Sequence, residues 1–560
     1  MDLDLATRVA VGASPEEHSN VPFLAIPGQS RLFLDHLADP ASLSRFYPSP
    51  VARIQDIAPF SKEVLARYET DRNQLAVALE GFNRRIGSGD KVLRNIERLR
   101  KPDTVAVLTG QQTGLFTGPI YSIYKALTAI AAAEKLTAQG VSAVPVFWAA
   151  TEDHDLEEVS AAKLIDLKGR LTSVSYKAQN EFSGRAVGEI VLTDEVRQAV
   201  GHAFEQLEKT EFTKDVRALV EDAWQSGRSF GDAFCSLLMR LLGDRGLVIV
   251  SPTEAAFKEL AAPIYQKAIG QAVALRDRLI ARSAELTAAG YEPQVLIDDD
   301  HFPMFIRSAR SQRVPLRLTP KGRIRAKDGS TEFSVDELIE FAGNSPEDLS
   351  PGVVLRATVQ DHIFPTVCYF GGGAEVAYFA QSSVVYETLD RPVTPIFHRQ
   401  SFTIVEPSSS RTMLQYDLTL SDLFRGKDDV LRELAERLFG RTTAVSIADA
   451  EEIINTQLNR LDRELSEKDP TLGAAVATRR RKIIYHISAL REKFYRSELR
   501  RNEVFTRRMD ALFDQIYPES GLQERSISVL YFLNKYGHAF MNRLAAEIDL
   551  DNKDHRLLYL

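Results

Sequence analysis

The 560-residue chain predicts an α/β protein: a doubly wound parallel-sheet core carrying two insertions, followed by an α-helical C-terminal region. Three observations point there. The stretch from Thr104 to Ser160 reads as strand, helix and strand; the stretch from Val353 to Val405 supplies another strand, a Gly-rich corner and a helix; and beyond Arg411 strand patterns give way to apolar residues at heptad spacing.

Composition narrows the class before any element is placed. An apolar fraction of 44% with 26% charged residues is ordinary for a globular protein, and a chain of this length exceeds what one hydrophobic core supports, so two or three structural units are expected. A net charge of −8 argues against a general nucleic-acid binder. Two cysteines, Cys235 and Cys368, fit a reduced compartment better than a disulfide framework, and both read as core. The start, MDLDLATRVAVGAS, is acidic and lacks the apolar stretch of a secretory signal, and no segment is long and apolar enough to span a bilayer. A cytoplasmic protein with neither a membrane nor a nucleic-acid partner is therefore expected.

In chain order, prolines at 22, 27 and 40 punctuate the opening, and Ser61 to Arg100 reads as two charged helices broken at Gly87-Ser88-Gly89. The run VAVLTG alternates β-branched and small apolar residues, as a buried strand does, and Gly110 ends it. Ile120, Ile123, Leu127 and Ile130 then share one helical face, and Val144 to Ala149 forms a second strand, parallel to the first because a helix separates them. Short strand-like runs follow (KLIDL, LTSVSY, GEIVLT), then a helical stretch from Asp194 to Leu242, together an insertion over the sheet edge. Gly246 to Pro252 restores a buried strand, with one long helical pattern from Glu254 to about Ala289 behind it. A second insertion, Asp298 to Leu349, contains the basic run RSARSQRVPLRLTPKGRIRAKDGS; a solvated hairpin edge is favoured there over a surface facing an anionic ligand. In the C-terminal region Ile454, Leu458, Leu461 and Leu465 make a heptad seam closed by Asp469-Pro470. A second helix, continuous from about Thr471 to Tyr517, would be roughly 70 Å long at ~1.5 Å per residue. So long an arm outreaches its partner, which predicts a homodimer through this region.

Three constellations carry the candidate chemistry. In the first, Gly110, Gln111, Thr113, Thr117 and Gly118 form a loop leading to a helix N-terminus whose free N–H groups attract an anion, with Gln112 a catalytic candidate and Tyr121 beside it. The spacing fits neither the triphosphate-binding loop nor the dinucleotide fingerprint, and the alternative is plain helix-on-sheet packing. In the second, after Trp148, the run Glu152-Asp153-His154-Asp155 ends a buried strand. Like charges so close need a cation, an ammonium group or solvent, with Asp153 and His154 as catalytic candidates; the alternative is an acidic helix N-cap. No zinc-binding spacing occurs, and no metal-ligand set is assigned. In the third, Gln360 and Asp361 precede Gly371, Gly372 and Gly373, after which Glu375, Tyr378 and Gln381 recur every third residue along one side of a helix, a stripe suited to a ligand or, alternatively, to core packing with Glu375 set against the helix dipole.

The segments LTGQQTGLFTGPIYSIYKALTAI, VPVFWAATEDHDLEEV, LRATVQDHIFPTVCYFGGGAEVAYFAQ and LYFLNKYG occur in that order along nearly the whole chain. Together they resemble the cysteine ligase family of bacillithiol biosynthesis. The resemblance implies a Rossmann-type core related to class I aminoacyl-tRNA synthetases, two connecting insertions and a C-terminal coiled coil that pairs protomers. The implied units are an N-terminal segment with the first half of the core (1–160), an insertion (161–245), core (246–297), a second insertion (298–350), the second half of the core (351–415) and the helical region (416–560). The implied reaction joins the carboxyl group of cysteine to the amine of glucosaminyl-malate. A carboxylate and an amine do not condense unaided in water, so ATP is the expected co-substrate, through an adenylate or an acyl phosphate, with Mg²⁺ offsetting phosphate charge. The synthetase signatures HxGH and KMSKS are missing; Gln111 and Gln112 stand at the first place, Arg399 and Ser401 at roughly the second. A non-catalytic nucleotide- or aminosugar-binding scaffold and a metal-dependent hydrolase built on Glu152 to Asp155 are the competing readings.

Overall fold

The computed structural model describes residues 20–49, 51–177, 184–439 and 441–560 and contains a five-stranded parallel sheet. In chain order its elements are β1 (Val105–Gln112), α1 (Tyr121–Ala138), β2 (Ala143–Ala150), β3 (Val248–Val250), α2 (Ala255–Gly270), α3 (Val353–Ile363), β4 (Thr366–Gly371), α4 (Gly373–Thr388) and β5 (Ile396–His398). The spatial order is β5-β4-β1-β2-β3, and every neighbouring pair is parallel. From β1 the chain builds β2 and β3 to one side and later lays β4 and β5 on the other. This is the Rossmann order, and the reversal between β1 and β4 opens a crevice beyond their carboxyl ends.

Parallel strands covered on both faces must be apolar along their length, and every residue of β2 and the first six of β1 are buried. On one face Ala129, Ala132, Ala133 and Leu136 of α1 pack with Val105, Val107, Val367 and Phe370. Cys368 lies in that cluster, and Cys235 is likewise buried within the helix Phe230–Leu242. Gly110 permits the close approach of β1 to β2, since a Cβ there would stand 2.8 Å from the carbonyl oxygen of Trp148.

Several elements depart from the sequence-based expectation. The span expected to hold two helices, Ser61 to Arg100, draws on three, Ile57–Ala66, Arg72–Arg85 and Asp90–Leu99. The additional break falls where the Asp71 carboxylate accepts from the N–H groups of Asn73 (2.7 Å) and Gln74 (3.1 Å), capping a new helix. The pattern after Glu254 divides at Gln271 into α2 and Ala272–Ala288. GEIVLT forms only a short turn at Val187–Glu189 and an isolated bridge from Val191 to Ser229. The basic insertion is no solvated hairpin edge. It is a five-stranded antiparallel sheet of His301–Arg307, Arg313–Leu318, Ile324–Ala326, Glu332–Phe333 and Leu349–Pro351, with Arg313–Leu318 in the interior. Val314, Leu316 and Leu318 are buried on one side, while Arg317 reaches Asp300 (3.5 Å) and Arg323 reaches Glu332 (2.8 Å).

The chain divides into two units, one of residues through Leu167, Thr172–Thr403 and Glu524–Leu557, the other of Lys168–Leu171, Ile404–Gln523 and Leu558–Leu560. In the second unit Arg441–Ser466 and Pro470–Arg501 form an antiparallel helical hairpin, with Arg480 donating to Asn455 (3.2 Å) and Asn459 (2.7 Å). Asp469 caps the second helix by accepting from the Thr471 N–H at 2.8 Å. That helix is not continuous to Tyr517: Asn502 leaves the helical conformation, and Glu503–Ile516 is separate. Of the seam residues, Leu461, Ile483 and Leu490 remain 43%, 37% and 65% exposed.

Glu524–Leu557 groups with the sheet and not with the helical hairpin. Its anchor is Glu524, whose carboxylate accepts from both terminal nitrogens of Arg399 (3.0 and 2.6 Å), from Ser401 Oγ (2.9 Å) and from the Phe402 N–H (3.1 Å). Farther along, the Ile527 carbonyl accepts from the Ile120 N–H at 2.9 Å, just ahead of α1. Burial works to raise the pKa of Glu524, but the Arg399 guanidinium outweighs it and holds the carboxyl down at about 2. Because the folded value lies below the unfolded one, the stabilisation is complete above the ordinary carboxylate range and is lost as pH falls toward 2. Glu524→Gln strands a buried guanidinium and is expected to cost about 3–5 kcal/mol at pH 7. It should also flatten the acid limb of the stability profile, both read from urea unfolding between pH 7 and pH 2.

Candidate active site

A cavity of about 470 Å³ fills the crevice at the switch point. β1 contributes its last three residues, Gly110, Gln111 and Gln112, of which the two glutamines are only partly buried. Gln111 donates from Nε2 to the Tyr121 hydroxyl (2.9 Å) and accepts at Oε1 from Lys125 Nζ (2.8 Å). The next residue points the other way, as strand alternation requires, and Gln112 Nε2 donates to Asp153 (2.7 Å) and Glu158 (3.0 Å). Lys125, one turn into α1, is buried; it donates to the Gly110 carbonyl (2.8 Å) and ion-pairs with Glu375. Burial lowers its pKa to about 8, with Arg399 and Arg356 adding to the effect and Glu375 opposing it.

The opposite wall is the start of α4. Glu375 turns back to accept from the Gly372 N–H (2.7 Å), closing the open helix end, and also accepts from the Tyr369 hydroxyl (2.9 Å). Burial pushes its pKa up, but Lys125, the Gly372 N–H and Arg356 outweigh this and hold it below the usual range. Arg356 of α3 donates to the Tyr378 hydroxyl at 2.8 Å, placing a guanidinium on the same wall. Gly372 has ordinary extended φ, and a Cβ there would meet nothing closer than a Glu375 oxygen at 3.6 Å, so the residue faces open cavity.

The remaining walls come from the end of β2 and the second insertion. Trp148 is buried, and its indole N–H has no partner among the described residues. Arg313 stacks on the Phe305 ring (3.8 Å to the centroid) and is fixed by Ser350 Oγ (2.9 Å) and the Pro351 carbonyl (2.7 Å). Burial lowers its pKa, against Glu152 and Asp153, which favour the charge. Glu152 is itself paired with Lys258 of α2.

Of the sequence candidates, Gly110, Gln111, Gln112, Tyr121, Trp148, Glu152, Asp153, Gly372, Gly373, Glu375, Tyr378 and Arg399 line this cavity. The others do not, each for a local reason. Thr113 and Thr117 are buried beyond the end of β1, and Gly118 has positive φ at the turn into α1. His154 is exposed, with Nδ1 3.8 Å from Asp153. Asp155 caps a short helix by accepting from the Glu158 N–H at 3.1 Å. Gln360 is buried in α3, and Asp361 accepts from the Thr394 hydroxyl (2.6 Å) and from Tyr386, with burial raising its pKa to about 6. Gly371 pairs with His398 in the sheet. Gln381 is turned away, donating to the Val295 carbonyl (2.8 Å) and Ser283 (3.0 Å), and Ser401 serves Glu524. Conversely, Lys125, Arg313, Arg356 and Arg525 line the cavity without having been singled out. Two of them carried a readable signal, since Lys125 is the sole charge between Tyr121 and Ala133 and Arg356 the sole charge between Val353 and Gln360.

The lining holds five cationic residues, Lys125, Arg313, Arg356, Arg399 and Arg525, against the carboxylates Glu152, Asp153 and Glu375. Setting aside the pairs Arg399–Glu524, Lys258–Glu152 and Lys125–Glu375, cations remain in excess, so the cavity suits an anion, with Asp153 available to an amine or hydroxyl. Among the described residues no group of three or more His, Cys, Asp or Glu side chains could hold a metal ion. Glu152, Asp153 and Asp155 instead face three different partners. No helix among them is long and apolar enough to cross a membrane.

Fold and site together define a Rossmann-like α/β protein with a basic cavity at the switch point of its sheet. Residues 20–400 match the model of the bacillithiol biosynthesis BshC N-terminal Rossmann-like domain, and residues 402–560 that of the BshC C-terminal coiled-coil domain. The chain belongs to the BshC family. It is 34% identical to a protein of Solibacter usitatus over 95% of this chain and 98% of the relative, and 32% identical to one of Salinibacter ruber over 97% and 99%. A third relative, from Koribacter versatilis, is 32% identical over 92% and 95%. All three bear the name "Putative cysteine ligase BshC". A solved structure from Campylobacter jejuni, described as a "putative arginyl t-RNA synthetase", covers 83% of this chain and 97% of its own at 10% identity, but its TM-score of 0.24 carries no argument.

Because a side chain at position 372 has room only in the cavity, Gly372→Val is expected to weaken binding of a phosphate- or carboxylate-bearing ligand at least tenfold with the melting temperature nearly unchanged. Calorimetric titration with ATP and with glucosaminyl-malate, beside a thermal scan, checks this. Intact binding with a depressed melting temperature would assign the glycine to packing.

Proposed function

We propose that this protein is an ATP-dependent ligase that joins the carboxyl group of cysteine to the amine of glucosaminyl-malate. The observation that carries the reading is the cavity itself: it combines an excess of guanidinium and ammonium groups with two carboxylates at the switch point of a chain belonging to the BshC family. Phosphates of ATP and the malate carboxylates require the cations; an amine nucleophile requires an acceptor. Arg313, Arg356 and Arg525 fit the anionic groups, and the Gln112 amide, whose two N–H groups go to Asp153 and Glu158, fits the positioning of the Asp153 carboxylate. Mg²⁺ would then be held mainly by the phosphates, as is usual for that ion, with at most one or two carboxylates added.

In the step proposed, the amine nitrogen bonds to the carboxyl carbon, the bond from that carbon to the phosphate-bearing oxygen breaks, and the amine gives up a proton. Asp153, held by Gln112 and by the His154 N–H (2.9 Å), is the acceptor assigned to that proton. His154, exposed beside it, fits the relay of the proton to solvent. A free thiol substrate suits a reducing compartment, and we place the protein in the cytoplasm on that ground. The decisive experiment is cysteine-dependent exchange of pyrophosphate into ATP, together with mass detection of the cysteinyl amide. Their absence under all conditions would favour a non-catalytic scaffold.

Gln112→Ala and Asp153→Ala should each lower ligation by roughly 10²-fold, the size expected for one preorganised group. Both sit at strand ends, where side chains serve ligands more than packing, so melting temperatures should move little. Turnover unaltered in both variants would remove these residues from the site. The same reading includes a homodimer through the helical hairpin, because Leu461, Ile483 and Leu490 stay exposed in the second unit. Light scattering at micromolar concentration should give twice the chain mass, and Ile483→Glu with Leu490→Glu should halve it. A monomeric native mass would refute the assignment.

A further inference from the structure

Lys125 and Glu375 approach across the switch point from separate elements, α1 and α4, and both line the cavity. Each is fully engaged within the protein. Lys125 has three N–H donors, directed to the Gly110 carbonyl, Gln111 Oε1 and Glu375. Glu375 accepts from the Gly372 N–H, the Tyr369 hydroxyl and Lys125. Lys125 is 3% exposed and Glu375 16%, so neither charge is strongly screened by solvent. Two of the three bonds on each side run to groups fixed by the strand end or the helix corner. The third joins the two charges to each other, and it is the one a ligand can replace without disturbing the walls.

We infer that the Lys125–Glu375 pair is the recognition site for the zwitterionic head of the amino acid, which enters by exchanging ion pairs. Its carboxylate takes the place of Glu375 on Lys125, and its α-ammonium takes the place of Lys125 on Glu375. One ion pair becomes two, and every donor and acceptor keeps a partner. The partners each ligand returns explain the selectivity. A carboxylic acid without an amine would displace Glu375 from Lys125 and return no donor to it, and an amine without a carboxylate would displace Lys125 and return no acceptor; Arg356 and Arg399 also act on the pair but are held by Tyr378 and Glu524. Either mismatch leaves one member of the buried pair without its hydrogen-bonded partner, whereas the zwitterion leaves neither so. The arrangement also leaves the ligand's carboxyl against an ammonium group, where negative charge grows on its oxygen during acyl transfer. This rests on the reading of cysteine as a substrate.

Calorimetric titrations of the full chain with L-cysteine, cysteamine and 3-mercaptopropionate, with and without a non-hydrolysable ATP analogue, test it. The wild-type protein should bind cysteine at least tenfold more tightly than either truncated analogue. Glu375→Gln should lose the discrimination against 3-mercaptopropionate while keeping that against cysteamine, and Lys125→Met should show the reverse. The Lys125→Met/Glu375→Gln double variant, which restores charge balance without the charges, should fold, as read by circular dichroism, and bind all three weakly. A purely structural pair cannot produce crossed selectivities. Equal affinity of the wild-type protein for cysteine and its analogues, or parallel losses for all ligands in both single variants, overturns the inference alone. Failure of the wild-type protein to bind cysteine, with or without the nucleotide analogue, overturns the assigned substrate along with it.

Discussion

The parallel pairing of β1 with β4 is the constraint on which the first unit depends. Thr366 to Phe370 run beside Ala106 to Thr109, and the Thr109 hydroxyl fastens the open end by donating to the Phe370 carbonyl at 2.8 Å. Some 250 residues separate the two strands, so their junction is made late in the chain's course, and closing so long a loop is entropically unfavourable until the apolar faces on both sides are covered. Once made, it fixes where polar groups can survive. Along β1 and β4 the side chains are enclosed as far as Gly110 and Gly371; only at and beyond the carboxyl ends do glutamines, carboxylates and guanidinium groups find both partners and space.

That division explains what could be read in the sequence. Burial leaves a local mark, a continuous apolar run in a strand covered on both faces and a period of about 3.6 in a helix, so the strand–helix–strand unit, the Gly-rich corner and the helical hairpin were legible without knowledge of their partners. The stripe Glu375, Tyr378 and Gln381 shows the limit of such reasoning. All three lie near one side of α4, yet the first two face the cavity while Gln381 holds the segment around Val295. Periodicity reports which face is covered and not what covers it. Arg313 shows the same limit from the other side. In a run rich in charge it resembles any solvated residue, and only the antiparallel sheet around it and the Phe305 ring beneath it turn it inward. Lys125 was the most informative residue left unread, because a lone ammonium within an apolar helix must have a partner, and the partner lay in a different element.

Acid groups that looked alike in sequence were separated by their neighbours. Glu152, Asp153 and Asp155 are a single cluster on paper. In the fold Glu152 belongs to Lys258, Asp153 to Gln112, and Asp155 to the backbone of its own short helix. Mutual repulsion is thereby avoided without a metal-binding cluster, and one carboxylate of the three is left on the cavity wall without a cationic side chain of its own. The functional distinction among them is electrostatic and not positional.

The placement of the two cysteines has a consequence for a protein assigned to thiol chemistry. Cys235 and Cys368 are both enclosed, and burial pushes the pKa of each thiol far above its ordinary value. Thiol–disulfide exchange requires a thiolate that can reach the attacking sulfur, and neither side chain meets either condition in the folded state. The protein can therefore share a compartment with high concentrations of small thiols and their disulfides without forming mixed disulfides, and an alkylating reagent that consumes small thiols would leave both cysteines of the folded chain unmarked.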